Sequence, residues 1–156
     1  MRIPGHRPRR AATQSSAARL VALRSLLEIA TCAVALQPAA EEVIRSCARD
    51  DAAPVQVARQ AGRVAADYFR LHGWAVDLTR GTDQTSLQCR VTELVHYHAA
   101  MVDLGVKLAF PKFPSTKLEQ RRRSLTGLGE SARTLREAQS ALALWIADIE
   151  RADDSR

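Results

Sequence analysis

The sequence predicts an all-α protein: a single-domain bundle of four to five helices, with helices four and five long and nearly antiparallel. Three observations carry this expectation. Apolar residues recur at alternating steps of three and four along most of the chain, the period of one helical face. Aromatic residues make up only 4% of it, so the core must be built from Leu, Val, Ile and Ala, and Ala and Leu lose little on entering a helix. With 156 residues, 46% of them hydrophobic, the chain is long enough for one core without disulfide or metal support.

Residues 1–15 read as a disordered basic arm, because Pro4, Gly5 and Pro8 interrupt a stretch without apolar period. The bundle is expected over residues 16–152, and residues 153–156 form an acidic tail end. In the first helix Leu20, Leu23, Leu27, Ala30 and Val34 make one stripe, which Pro38 ends or kinks. A short second segment carries Ala40, Val43, Ile44 and Cys47. Pro54 opens a third helix with the stripe Val57, Ala61, Val64, Tyr68 and Leu71, and His72-Gly73 supplies a stop. From Trp74 to Gly81 the apolar residues alternate, which predicts an extended connector with Trp74 plugging one end of the bundle.

Thr82 or Asp83 is expected to cap helix four, whose stripe is Leu87, Val91, Leu94, His98, Met101, Gly105 and Leu108. Pro111 and Pro114 forbid helix around Phe110 and Phe113. Thr116 and Glu119 then form a capping box, opening a last helix that runs to about Ala152. Its seam is Leu118, Leu125, Leu128, Ala132, Leu135, Gln139, Leu142, Ile146 and Ile149, and Gly127 and Gly129 are the place for a kink.

The excess charge is unevenly distributed. The chain has 23 Lys and Arg against 17 Asp and Glu. Residues 1–27 hold six arginines and no acid, so the rest of the chain is formally neutral. Arg2, Arg7, Arg9 and Arg10 of the arm are therefore the candidate nucleic-acid contacts. Lys is rare beside Arg and Asn is absent, a coding bias that points to a bacterial source. No uninterrupted apolar run reaches the roughly 18–20 residues of a membrane span, and Arg19, Arg24 and Glu28 interrupt the first helix. The expectation is a cytoplasmic protein without membrane contact. Cys32, Cys47 and Cys89 show no paired or His-flanked spacing and read as buried free thiols.

Helix four holds the densest set of reactive side chains. Glu93 and His96 have the E-x-x-H spacing of carboxylate-bridged di-metal bundles, but that architecture needs a second copy and two further Glu-bearing helices. No metal or other cofactor is expected. Arg90 and His96, five residues between them, resemble the R-x4–6-H signature of the HEPN family of helical ribonucleases, over seven residues of the chain. That resemblance implies an Arg that grips an RNA phosphate and a His that serves as general acid or base in a dimer cleft. The position after Arg90 is Val91, where the family usually carries a polar residue. His98 and Gln139 are single polar residues in two apolar seams, placed to face one another and fix register.

Arg121, Arg122 and Arg123 fall in the first turns of the expected last helix, and Asp148, Glu150, Asp153 and Asp154 near its end. Both groups oppose the helix dipole, and two such helices laid antiparallel would compensate one another. The first functional reading is therefore a non-enzymatic bundle acting through protein contacts, as a homodimer or with another protein, in a regulatory or accessory role. The second is a small nucleic-acid-associated protein using the arm and Arg121–Arg123, and the third a HEPN-like ribonuclease.

Overall fold

The computed structural model describes the backbone of residues 8–49, 51 and 53–155, with side chains in the first helix from Ser16 onward. The described residues are all-α: α1 (Pro8–Ala35), α2 (Gln37–Ala48), α3 (Val55–Thr79), α4 (Leu87–Ala109), α5 (Thr116–Arg123) and α6 (Glu130–Asp154). Arg2 and Arg7 lie outside the described residues. Arg9 and Arg10 fall in the first turns of α1, within the segment expected as an arm.

Four long helices form the body. α1 packs on α3 and α6, and α4 packs on α3 and α6 from the other side, while α2 lies against α3 and α4. Cross-contacts fix the directions. Tyr68 meets His98 and His72 meets His96, and nearer the connection Thr79 meets Thr92, so α3 and α4 run antiparallel. Thr31 meets Gln139 and Arg24 meets Glu150, so α1 and α6 do too. The core holds Leu23, Leu26, Ala33, Ile44, Val95, Leu135 and Leu142, with Tyr68 fully buried at its centre. The Tyr68 hydroxyl donates to the Ala33 carbonyl over 2.9 Å, which satisfies a phenol whose pKa burial raises, with Glu41 adding to the rise.

Pro38 separates α1 from α2 without a loop. It has no N–H to give to Val34, and the chain turns at Leu36. The flanking bonds survive: Leu36 donates to Cys32 and Ala40 to Leu36, at 3.1 and 3.0 Å.

Two expected breaks lie elsewhere. α3 does not stop at Gly73 but runs through Trp74 to Thr79, because Leu71, Ala75 and Thr79 continue the buried stripe of Ala61, Val64 and Tyr68. The alternation read as an extended connector comes from Trp74 and Val76, exposed on the two flanks of that stripe, and the half-buried Leu78. Helix burial outweighs the roughly 1 kcal/mol penalty of a mid-helix glycine. Conversely, the expected last helix is two. Ser124 to Gly129 breaks it into α5 and α6, with Gly127 at φ +89° and Gly129 at φ +56°, a conformation that glycine adopts without steric cost. A Cβ on Gly127 would also collide with the Glu41 carboxylate. Glu41 accepts the Leu128 N–H at 3.0 Å, and Leu128 itself is buried.

The caps are set one to four residues from their expected places. Ser86, not Thr82 or Asp83, caps α4 by accepting the Cys89 N–H. Asp83 instead closes a turn onto Thr85. Ser115 rather than Thr116 caps α5. By length and composition, Ser16–Ala48 contains an 18-residue window of mean hydropathy 1.6, a third of it buried. That property belongs to the whole window rather than to an unbroken run, and core helices share it.

Candidate functional site

The cationic triad is not one surface. Because α5 ends at Arg123, Arg121–Arg123 occupy a last helical turn, where the dipole favours cations. α6 opens on Glu130, which also has the favourable sign. The reversed layout inferred for the start of a single long helix is thus corrected by the break at Gly127 and Gly129. Arg122 is buried. Its guanidinium donates to the Cys47 carbonyl at 2.8 Å, to the Arg49 carbonyl, and to both Glu119 oxygens. It therefore closes the C-terminus of α2, whose last carbonyls have no helical donor. Arg122 with Arg123 holds the Glu119 carboxyl down to about 2, and these pairs engage both of its oxygens, in place of the helix-capping part expected of it. The acidic end of α6 remains acidic, but Glu150 is bound to Arg24 at 2.5 Å and Asp148 to Arg151. Asp153 and Asp154 are exposed in the last turn.

His98 is fully buried, and its partner is Gln37, not Gln139. Gln139 bonds Thr31 across the α1–α6 contact instead. Gln37 Nε2 donates to the Ala132 carbonyl at 2.9 Å and faces His98 Nε2 at 3.1 Å, while Arg136 donates to Gln37 Oε1 at 2.6 Å. With the amide oxygen occupied, His98 Nε2 must accept, so the proton sits on Nδ1 and goes to the Leu94 carbonyl at 2.7 Å. This neutral imidazole is fully satisfied, which suits a register-fixing role and removes it from proton transfer.

Burial lowers the His98 pKa, against the opposing pull of the Leu94 hydrogen bond and Glu41, with Arg136 lowering it further. The unfolded chain then takes up this proton more readily than the native one, so stability rises with pH across the interval between the two values. It is expected to be fully present above about pH 6.5 and to fall as the pH drops below it. The His72 pKa, also lowered by burial and by His96, shifts stability in the same direction. Thermal melts between pH 5 and 8 should show the slope, with part of it missing in His98→Gln; an unchanged slope would refute the assignment.

Arg90 and His96 are both exposed on α4. Six residues place them ~9 Å apart along the axis and ~120° apart around it, so they do not converge within one chain. The His96 ring instead packs against His72, 4.5 Å between centroids, and against Phe69 at 6.5 Å. His72 lies 24 positions earlier, on α3, beyond the reach of any local motif. Among the described residues, no group of three or more His, Cys, Asp or Glu is placed to hold a metal ion, and Glu93 and His96 gain no further ligand.

The surface feature absent from the expectations is a groove between α1 and α3. Its volume is about 530 Å3, floored by Ile29, Leu71, Leu78 and Trp74 and edged by Glu28 and Asp77. It continues into a recess of about 310 Å3 toward Leu36 and Asp67. Trp74, expected as an end plug, lines both recesses and is 53% exposed. Cys32 opens into the same groove and is exposed; Cys89 is half-buried beside Thr82, and only Cys47 is buried as all three were expected to be. Burial raises the Cys47 pKa, only partly offset by Arg122. Fold and surface together define a helical bundle with an aromatic-lined groove between α1 and α3. No protein-family model matches the chain, and neither a curated protein nor a solved structure is detectably similar to it.

Proposed function

We propose that the protein is a non-enzymatic helical bundle that works through protein contacts, pairing with a second copy of itself through the α1–α3 groove. One observation carries this reading: Trp74 stands half-exposed in an apolar groove in the middle of a helix. A Trp at that place supplies the large rigid contact area typical of interface anchors. The reactive side chains support it by their separation, since His98 is locked neutral, Arg122 is committed to α2, and Arg90 and His96 diverge. A docking face on described residues that assemble no metal-binding cluster supports a regulatory or accessory role. Light scattering on the full chain at high micromolar concentration should give a dimer mass. Trp74→Ser should weaken the dimer by about 2–4 kcal/mol, roughly thirtyfold or more in Kd. A wild-type monomer would overturn the reading.

A further inference from the structure

We propose that the loop between α4 and α5 seats one end of the bundle on an anionic lipid surface, with Phe110 and Phe113 entering the headgroup layer and lysines around them. The loop, Phe110 to Ser115, joins Ala109 at the end of α4 to Thr116 at the start of α5. Pro111 and Pro114 keep it out of a helix and restrict its backbone, so it is presented at little ordering cost. Phe113 is 76% exposed, the most of any large apolar residue described, and Phe110 is exposed as well. Continuing the antiparallel contact of Tyr68 with His98 brings Val55, exposed at the start of α3, to the same end. Large apolar side chains left in water together mark a contact surface.

Charge decides what covers it. From Leu104 to Leu118 the chain carries Lys107, Lys112 and Lys117 and no acid, and these are the only lysines among its 23 Lys and Arg. Lys112 stands over the Phe113 ring, its Nζ 5.7 Å from the centroid, and both Lys112 and Lys117 are exposed. The nearest acids are neutralised: Asp103 binds Lys107 at 2.6 Å, and Glu119 is shared by Arg122 and Arg123. Arg121 adds an exposed cation on α5, while Arg49 and Asp51 beside the turn into α3 offset one another.

This chemistry fits a lipid headgroup layer better than a nucleic acid. Nucleic-acid surfaces favour the planar fork of Arg, which this chain uses at every other basic position. A flexible lysine stem lies along an apolar tip and keeps its ammonium at headgroup level, where each Lys adds about fivefold to binding at an anionic surface. A projecting apolar tip suits a layer it can enter, whereas a nucleic-acid strand needs a groove to follow. Behind the tip, a recess whose lining includes Leu108, Pro111, Pro114 and Leu118 extends the apolar contact. The expectation of no membrane contact rested on the absence of a spanning run, and a peripheral seat needs none. The loop shares no residue with the α1–α3 groove, so either surface can hold without the other.

The test is co-sedimentation of the full chain with vesicles of phosphatidylcholine, alone or with about 30% phosphatidylglycerol. The chain should bind the anionic vesicles, more weakly as salt is raised, and bind the neutral ones little. Phe113→Ser should weaken binding about tenfold, and Lys112→Gln with Lys117→Gln at least about tenfold. Melting temperatures should not change, because all three side chains are exposed. The N-terminal arginines also attract anionic vesicles, so the seat is located directly. In a Cys32→Ser, Cys89→Ser background, an environment-sensitive fluorophore attached through Phe113→Cys should shift to the blue on anionic vesicles. The same fluorophore attached through Ala143→Cys, exposed on α6, should not. Absence of binding at low salt, binding that both loop variants leave intact, or a label at position 113 that stays in water overturns the proposal. Tighter binding to a single-stranded oligonucleotide than to the vesicles, lost with Lys112 and Lys117, overturns it as well and gives the surface to nucleic acid.

Discussion

Arg122→Met is expected to destabilise the bundle by about 3–5 kcal/mol, the range for removing one partner from a buried charged network. The buried guanidinium is the donor for the Cys47 and Arg49 carbonyls at the end of α2. Without it these acceptors lose their partner, and Glu119 loses its bidentate one. The Cys47 carbonyl, stranded in the interior, costs roughly 1–3 kcal/mol, while the Arg49 carbonyl and Glu119 lie nearer the surface and lose less. Arg122→Lys should recover only part of the loss, because an ammonium cannot span two carbonyls and a carboxylate with a planar fork. Arg121→Met and Arg123→Met are the controls. Arg121 is exposed, and Arg123 makes an exposed pair with Glu119, so each should change stability by less than about 1 kcal/mol. Urea denaturation followed by circular dichroism checks the series. Equal losses at all three positions would show that Arg122 is an ordinary surface cation.

Leu135→Ala and Leu142→Ala should each cost about 2–5 kcal/mol. Both side chains are fully buried on α6, where shortening leaves a cavity that the surrounding helices cannot fill by rotation alone. Leu94→Ala should cost less, because Leu94 is only half-buried and Val95 beside it takes the core position. The same denaturation experiment orders the three. A neutral effect at both α6 positions would contradict the packing described for the core.

The helical class and the buried face of α3 were legible in the sequence because local periodicity determines them: Ala61, Val64, Tyr68 and Leu71 are all inside. The phase of α1 and α4 was harder. Leu23, Ala30, Val91, His98, Gly105 and Leu108 of the expected stripes are buried, but Leu20, Leu27, Val34 and Leu94 are half-buried shoulders, and the seams also run through Leu26, Ile29 and Ala33 and through Val95, Ala99 and Val102. Where apolar residues cover a wide arc, spacing alone does not say which side faces inward. With the α1 phase set by Leu26 and Ala33, Gln37 falls in the buried row, and the polar partner of His98 would have been visible. The groove was not readable, since it depends on how far α1 and α3 stand apart. Nor was the function of Arg122, whose partners lie 73 and 75 positions earlier.

Those long spans also set a timetable for synthesis. The polar groups of α2 that join it to the second half of the chain find their partners late: Glu41 with Leu128 across 87 residues, Gln37 with Arg136 across 99, and Cys47 with Arg122 across 75. At ~5–20 residues per second on the ribosome, α2 leaves the tunnel some ~4–20 s before those partners exist. During that interval α3 and α4 have only each other and the first two helices to pack on, and the α4 surface that α6 covers in the finished bundle is still solvated, as are the α2 acceptors. The last quarter of the chain is therefore the step that commits the bundle, and a ribosome stalled before Glu130 carries a chain with an open side.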